Sequence, residues 1–150
     1  MINLIRTTSD NPDFVKLVKQ LDAYLKITDG DEHEFYNQFN AIEALKNVVV
    51  TYKDGIPIGC GAFKHFDNNT VEIKRMYVIP ESRIGGVGQQ ILTNLEDWAA
   101  FLGYTSCILE TGKRQTEAVK FYRKCNYIEI EKYGQYKHME NSLCFKKEIG

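Results

Sequence analysis

The chain has 150 residues, which is the usual size of one compact domain. Hydrophobic residues make up 43% of it and charged residues 26%, and these proportions exclude a disordered chain or a coiled coil. The 19 Lys and Arg are balanced by 20 Asp and Glu, so no basic excess indicates a nucleic acid as partner.

The cysteines predict neither a disulfide framework nor a metal site. Cys60, Cys107, Cys125 and Cys144 form no Cys-x-x-Cys pair, and the three histidines fall at no metal-ligand spacing to them. We therefore expect buried, reduced thiols, no metal and a cytoplasmic location. We expect no signal peptide and no membrane association, because no apolar run approaches the roughly 18 residues that a membrane span needs.

The first half of the chain predicts a strand, two helices and a meander of antiparallel strands. Residues 2–6 predict the first strand, and Asn11 with Pro12 is typical of a helix start. Apolar side chains then follow at helical spacing: Phe14, Leu17, Val18, Leu21 and Leu25. A second helix is predicted over residues 32–39. Strands are predicted over residues 48–52, 56–66 and 71–79, and Asp54-Gly55 predicts a tight hairpin turn between the first two.

The second half alternates helices and strands. One apolar stripe at helical spacing consists of Ile91, Leu92, Leu95, Trp98, Ala99 and Leu102, and Gly103 follows at the position that commonly ends a helix. A strand is predicted over residues 106–110, a helix over 116–125, and closing strands over 127–130 and 142–147. The whole order predicts a single α/β (α+β) domain over residues 1–150 with a mixed, mostly antiparallel sheet.

A glycine-rich segment between a predicted strand and a helix carries the main functional signal. It consists of Arg83, Ile84, Gly85, Gly86, Val87, Gly88 and Gln89. Glycines let the backbone turn sharply, and the N–H groups at a helix N-terminus favour an anion such as a phosphate. The segment matches neither the ATP-binding P-loop nor the dinucleotide-binding pattern, so a nucleotide-binding module is disfavoured. A purely structural turn is the alternative.

The sequence around this segment resembles the GNAT superfamily of acyl-CoA N-acyltransferases. The family's Arg/Gln-x-x-Gly-x-Gly/Ala signature is matched by Arg83, Gly86 and Gly88. Downstream, Ala118, Tyr122 and residues 126–127 are similar to its Ala-x-x-x-Tyr-x-x-x-Gly-Phe/Tyr helix motif. Two positions depart from the pattern. Asn126 replaces a glycine, although Asn tolerates the left-handed conformation, and Gln115 stands where many members have Asn.

The resemblance implies a sheet of six or seven strands, flanked by about four helices and splayed between its fourth and fifth strands. It also implies that acetyl-CoA, as co-substrate, lies in that gap and that its acetyl group passes to a primary amine by direct attack in a ternary complex. The residues implied to hold CoA are Met76, Tyr77 and Val78 for the pantetheine arm, residues 83–89 for the pyrophosphate, and Gln115.

The same resemblance implies two catalytic side chains. Glu72 matches a glutamate that relatives use as a base, and Glu110 is the reserve candidate; a carboxylate paired with Lys74 or Arg75 is the structural alternative for Glu72. Tyr122 matches the tyrosine that protonates the departing thiolate, and simple packing is its alternative. A module that binds acyl-CoA without turnover is the second hypothesis for the whole protein.

The acceptor is a small-molecule amine or a protein amine, and the sequence does not choose between them. By analogy with relatives, the acceptor groove is predicted to involve Asp22, His33, Tyr36, Tyr133 and Tyr136, because carboxylates and tyrosines attract a cationic amine. The resemblance alone would allow a homodimer through the C-terminal strands.

Overall fold

The computed structural model describes residues 1–30 and 44–150. Its strands are β1 (Ile2–Thr7), β2 (Asn47–Lys53), β3 (Ile56–His65), β4 (Thr70–Val78), β5 (Ser106–Gly112), β6 (Ile128–Ile130) and β7 (Ser142–Glu148). Its α-helices are α1 (Pro12–Asp29), α2 (Val87–Phe101) and α3 (Thr116–Lys124). Short 3-10 helices occupy Pro80–Ser82 and Gly134–Tyr136. Within the described residues, no helix is long and apolar enough to cross a membrane.

All the described strands form one sheet, in the order β1-β2-β3-β4-β5-β7-β6. Every neighbouring pair is antiparallel except β4 and β5, which run parallel. The mixed, mostly antiparallel sheet of six or seven strands that the resemblance implied is therefore confirmed, with seven strands described.

The helices cover the two faces of this sheet. Phe14, Leu17 and Val18 of α1 are buried against β2 and β3 on one face. On the other face Ile91 and Leu95 of α2 lie in a larger core that also includes side chains of β3, β4, β5, β7 and α3. Because side chains alternate along a strand, β2 and β3 contribute to both cores.

Local sequence explains where these elements begin and end. The Asn11 side chain accepts hydrogen bonds from the N–H groups of Asp13 and Phe14, as expected of a helix N-cap. Asp54 and Gly55 both have positive φ, which confirms the tight turn between β2 and β3. Asn126, which stands where the family pattern has a glycine, has a φ of 74°. It therefore adopts the left-handed conformation that a glycine commonly adopts after the end of a helix.

Several predicted details differ from the structure. Leu102 is half exposed because α2 ends at Phe101, one residue before it. Tyr127 lies outside β6, which begins at Ile128, and β5 continues to Gly112 instead of ending at residue 110. The predicted helix over residues 32–39 falls outside the described residues.

An irregularity in β4 was not expected from the sequence. Arg75 has a φ of 59°, and β4 places one more residue between Lys74 and Tyr77 than β3 places between Ala62 and Cys60. This is a β-bulge, which bends the strand and re-aims its side chains. Opposite it lies Gly61, where an added Cβ would come within 2.5 Å of the Met76 sulfur.

Candidate active site

A cleft opens where β4 and β5 separate. The two strands pair at three positions only, of which the last joins Glu72 to Ile108. After Glu72 and Ile108, no further residues of β4 and β5 are paired in the part of the chain that the structure describes. β5 remains paired with β7 as far as Gly112. The resulting cleft, of about 110 Å³, is lined by Leu21, Leu25, Glu72, Ile73, Lys74, Arg75, Met76, Leu109, Glu110, Thr111, Gly112, Gln115, Ala118, Tyr122 and Tyr136.

The glycine-rich turn leads directly into α2. Gly85 and Gly86 have φ values of 108° and 80°, a conformation that glycine adopts without steric cost. The first helical hydrogen bond runs from the Gln90 N–H to the Gly86 carbonyl. The N–H groups of Val87, Gly88 and Gln89 precede it, and groups at this position have no partner inside a helix. The turn can therefore offer backbone donors to an anion.

Arg83, at the start of this turn, is held over two tyrosine rings. Its Cζ lies 5.7 Å from the ring centroids of both Tyr24 and Tyr77. Its Nε donates a hydrogen bond to the Val78 carbonyl at 2.8 Å. These contacts fix a positive charge beside the end of β4 and the N-terminus of α2.

Glu72 is a buried carboxylate in the wall of the cleft. Its Oε2 accepts a 2.7 Å hydrogen bond from the Tyr133 hydroxyl, and its Oε1 lies 4.0 Å from the Lys64 Nζ. Burial, and then the negative charge of Glu72, raise the pKa of Tyr133 well above its ordinary value near 10. Tyr133 therefore keeps its proton and remains a donor to Glu72 at neutral pH.

Tyr122 reaches the same cleft from α3, on the opposite face of the sheet from α1. It is buried, with its ring in edge contact with Phe121 and Tyr127. Burial raises the pKa of Tyr122 above its ordinary value, and the nearby Cys125 and Glu110 raise it further. The hydroxyl is therefore protonated at neutral pH and has a proton to give.

A second carboxylate faces the cleft from β5. Glu110 accepts a 2.7 Å hydrogen bond at Oε2 from the Ser142 hydroxyl of β7. Tyr136 lies close enough that burial first, and then Glu110 and Glu72, raise its pKa above the ordinary value. The cleft thus carries two carboxylates and two tyrosines around one opening.

Arg75 supplies a positive charge at the bulge. Its Nη1 donates a 2.7 Å hydrogen bond to Oδ1 of Asp22 on α1, and its side chain is 6% exposed. The Cys60 thiol donates to the Arg75 carbonyl at 3.4 Å, and burial raises the pKa of this thiol to about 12. The Asp22 carboxylate is therefore already engaged in an ion pair.

The structure brings together some of the residues that the sequence predicted for the site. Those that line the cleft are Glu72, Met76, Gln115, Tyr122 and Tyr136, and Tyr133 joins them through its bond to Glu72. Others lie outside the lining residues: Asp22, Tyr77, Val78 and residues 83–89. His33 and Tyr36 fall outside the described residues.

Sequence reasoning named Arg75 only as a candidate partner of Glu72, whereas the structure pairs it with Asp22, and it did not consider Thr111 or Gly112; all three line the cleft. Only the register of β3 and β4 reveals that Arg75 sits in a bulge, and no local pattern signals it. In residues 1–30 and 44–150, no three His, Cys, Asp or Glu side chains are grouped so that they could hold a metal ion.

Comparison with known proteins agrees with this geometry. The family model described as Acetyltransferase (GNAT) family matches residues 14–127. A protein of Azospirillum brasilense named IAA acetyltransferase is 28% identical over 137 residues, which cover 90% of each chain. Relatives with solved structures share the fold at lower sequence identity.

Two such structures illustrate the likeness. One, from Klebsiella pneumoniae and described as a candidate acyl-CoA N-acyltransferase, has a TM-score of 0.84 at 23% identity and covers 100% of this chain and 99% of its own. The other, the PaiA N-acetyltransferase of Thermoplasma acidophilum in complex with coenzyme A, has a TM-score of 0.72 at 17% identity and covers 99% of each chain. With more than half of its residues matched by the family model, the chain belongs to the GNAT acetyltransferase family and is an acyltransferase.

Proposed function

We propose that this protein transfers the acetyl group of acetyl-CoA to a primary amine. The observation that carries the proposal is the cleft between β4 and β5, whose walls hold a buried carboxylate, Glu72, and a buried phenol, Tyr122. A carboxylate that can accept a proton and a phenol that can give one can serve as the general base and the general acid of amine acylation.

The residues beside the cleft fit coenzyme A. The N–H groups of Val87, Gly88 and Gln89 offer donors to the pyrophosphate, and Arg83 adds a positive charge next to them. The edge of β4 that β5 leaves uncovered begins after Glu72 and offers backbone groups to the pantetheine arm. The Thermoplasma acidophilum relative was solved in complex with coenzyme A, which supports coenzyme A as the ligand.

In this proposal Glu72 removes a proton from the ammonium form of the acceptor, directly or through a water molecule. Such an amine is almost wholly protonated at neutral pH, because its ordinary pKa is about 10.4. Acetyl-CoA supplies an activated acyl carbon, so that a C–N bond forms and the C–S bond breaks. Tyr122 then gives its proton to the departing sulfur. The nitrogen loses its second proton as the amide forms, and this proton restores Tyr122 by way of solvent. Glu72 releases the first proton to solvent.

The proposal is tested first by binding. Calorimetric titration with acetyl-CoA should show micromolar affinity, while ATP and NAD should show none. Release of the CoA thiol is then measured with a panel of amines, amino acids and a lysine peptide. Acetyl-CoA binding without turnover of any acceptor would favour an acyl-CoA-binding module, and no binding by the folded protein would refute the proposal.

The base is tested by Glu72→Gln with Glu110→Gln as its matched control. Both carboxylates line the cleft, and each accepts a 2.7 Å hydrogen bond from a hydroxyl. General-base catalysis is worth roughly 10²- to 10⁴-fold, so Glu72→Gln should lower kcat by at least 100-fold. A larger loss in Glu110→Gln would transfer the role to Glu110.

A further inference from the structure

Arg75, which lines the cleft, has an unused hydrogen-bonding group. Its Nη1 bonds to Asp22, but its buried Nη2 has no hydrogen-bond partner among the described residues. Buried polar atoms are nearly always paired, so an unpaired one is an observation that needs an explanation. A guanidinium stays charged at every relevant pH, and its planar fork of donors matches a carboxylate in two parallel hydrogen bonds.

The backbone around Arg75 holds the side chain at this place. The bulge gives Arg75 a φ of 59°, a conformation that is unfavourable for a residue with a Cβ. Its carbonyl accepts from the Cys60 thiol, and its Nη1 is fixed by Asp22 of α1. A strained residue that its surroundings hold in this way is most often found at a functional site.

The charges of the cleft are arranged for a ligand with both signs. Arg75 and Lys74 line it with positive charge, and Glu72, two to three positions earlier on β4, lines it with negative charge, as does Glu110 of β5. Along a strand this spacing amounts to about 7–10 Å between Cα atoms. Asp22 of α1 pairs with Nη1 of the guanidinium, and the Asp22 side chain is 34% exposed.

We propose that Arg75 binds a carboxylate of the acceptor, so that the acceptor is an amine that carries a carboxylate, such as an amino acid. Glu72 faces the ammonium group and Arg75 the carboxylate of the same molecule. This inference rests on the proposed acetyl transfer and adds the chemical class of the acceptor to it.

The experiment compares L-amino acids with the corresponding L-amino acid amides, which keep size and amine but lack the negative charge. Phenylalanine, leucine, glutamate and lysine represent the side-chain classes, and tyramine and spermidine serve as amines without a carboxylate. CoA release gives kcat/KM for each acceptor. Calorimetry of the CoA-bound protein with the amino acid and its amide gives a readout that needs no turnover.

Wild-type protein should favour the carboxylate over the amide at least tenfold in kcat/KM, the ratio expected when one charge-assisted hydrogen bond is lost. Arg75→Gln should abolish most of that preference through KM, and Arg75→Lys should retain a part of it because the charge remains. Arg123→Gln is the control: this arginine pairs with Glu129 on the surface, away from the cleft. Its variant should keep the full preference.

Equal use of amide and amino acid by the wild type would overturn the inference even if the Arg75 variants failed to fold. So would an undiminished preference in Arg75→Gln. If tyramine or spermidine is acetylated while amino acids are not, the carboxylate inference fails and acetyl transfer stands. If CoA is released with none of the acceptors, the proposed function fails, and this inference fails as well because it rests on that function.

Discussion

Glu72 and Tyr122 face the same cleft but are held in different ways. The Glu72 carboxylate is fixed by a hydrogen bond from Tyr133 and lies near the Lys64 ammonium, so polar partners define its position. Tyr122 is fixed by ring contacts with Phe121 and Tyr127. Packing alone can therefore keep the Tyr122 ring in place when its hydroxyl is removed.

This difference makes Tyr122→Phe a clean test of the proposed acid. We expect kcat to fall at least tenfold, because general acid catalysis contributes roughly 10²- to 10⁴-fold and solvent can replace part of it. The dissociation constant of acetyl-CoA should stay close to the wild-type value, since no backbone donor is disturbed. Steady-state release of CoA and calorimetry measure the two quantities.

Tyr104→Phe provides the matched control for that variant. The Tyr104 hydroxyl shares a 2.9 Å hydrogen bond with His65 at an exposed site and does not line the cleft. Its loss should leave kcat unchanged. Equal turnover by Tyr122→Phe and the wild type would remove Tyr122 from the mechanism and leave it as a packing residue.

At the scale of the elements, the bulge in β4 connects the sheet to the cleft. Arg75 contacts α1 and the next residue, Met76, packs toward α2, at the point where β5 has already departed. Gly61 permits this arrangement, because a Cβ there would lie 2.5 Å from the Met76 sulfur and 2.9 Å from side-chain atoms of Ile91 and Leu95.

We therefore expect Gly61→Ala to destabilise the protein by about 1–3 kcal/mol, the cost of overpacking a well-filled core. For a chain of this length, that corresponds to a fall in melting temperature of roughly 2–12 °C. The affinity for acetyl-CoA should weaken as well, since Met76 must move. Thermal unfolding with and without acetyl-CoA measures both effects.

Gly88→Ala is the comparison for this variant. A Cβ at Gly88 would lie 3.3 Å from the Phe121 ring, a contact that a small ring movement relieves, and alanine favours a helix more than glycine does. Its melting temperature without ligand should stay within a few degrees of the wild type. Equal melting temperatures for Gly61→Ala and the wild type would show that the core beside the bulge accommodates a Cβ at position 61 without strain.

The elements themselves were largely predictable from sequence because their signals are local. Asn11 and Pro12 start α1, Asp54-Gly55 turns the chain between β2 and β3, and Gly103 follows the end of α2. The glycine-rich turn was recognisable for the same reason. Each of these features depends on the conformational preference of one or two neighbouring residues.

The contacts inside the cleft depend on partners that are distant in sequence. Tyr133 donates to Glu72 across 61 positions, and Arg75 donates to Asp22 across 53. Such pairs follow from strand order and register, which local patterns do not specify. The sequence therefore placed Glu72 and Tyr122 as candidates by resemblance, while the role of Arg75 emerged only from the folded sheet.

At the scale of the whole molecule, a buried polar cluster joins three elements away from the cleft. Glu96 of α2 accepts a 2.7 Å hydrogen bond from the Tyr127 hydroxyl and a 3.0 Å hydrogen bond from the Lys147 ammonium of β7. Tyr127 follows α3, so the cluster ties both helices of this face to the last strand. The buried Cys107 lies beside it, and burial followed by the charge of Glu96 raises the pKa of its thiol to about 12.

This cluster predicts a specific loss of stability at alkaline pH. Burial, and then Cys107 and Glu96, raise the pKa of Tyr127 in the folded protein far above the ordinary value near 10. Above pH 10 the unfolded chain releases the Tyr127 proton while the folded protein keeps it. The unfolded state is then favoured, and the free energy of unfolding falls by about 1.4 kcal/mol per pH unit for each such tyrosine.

Tyr127→Phe isolates this contribution, since phenylalanine has no proton to lose in either state. Near pH 8 we expect the variant to be less stable than the wild type by about 1–3 kcal/mol, because Glu96 loses a buried donor. As the pH rises above 10, this deficit should shrink by about 1.4 kcal/mol per pH unit, because only the wild type loses the contribution of Tyr127.

Urea unfolding at pH 8, 10 and 11, followed by the fluorescence of the single tryptophan, measures the difference in the free energy of unfolding between the variant and the wild type. A constant offset between Tyr127→Phe and the wild type over this pH range would mean that Glu96 and burial do not hold the Tyr127 proton in the folded state.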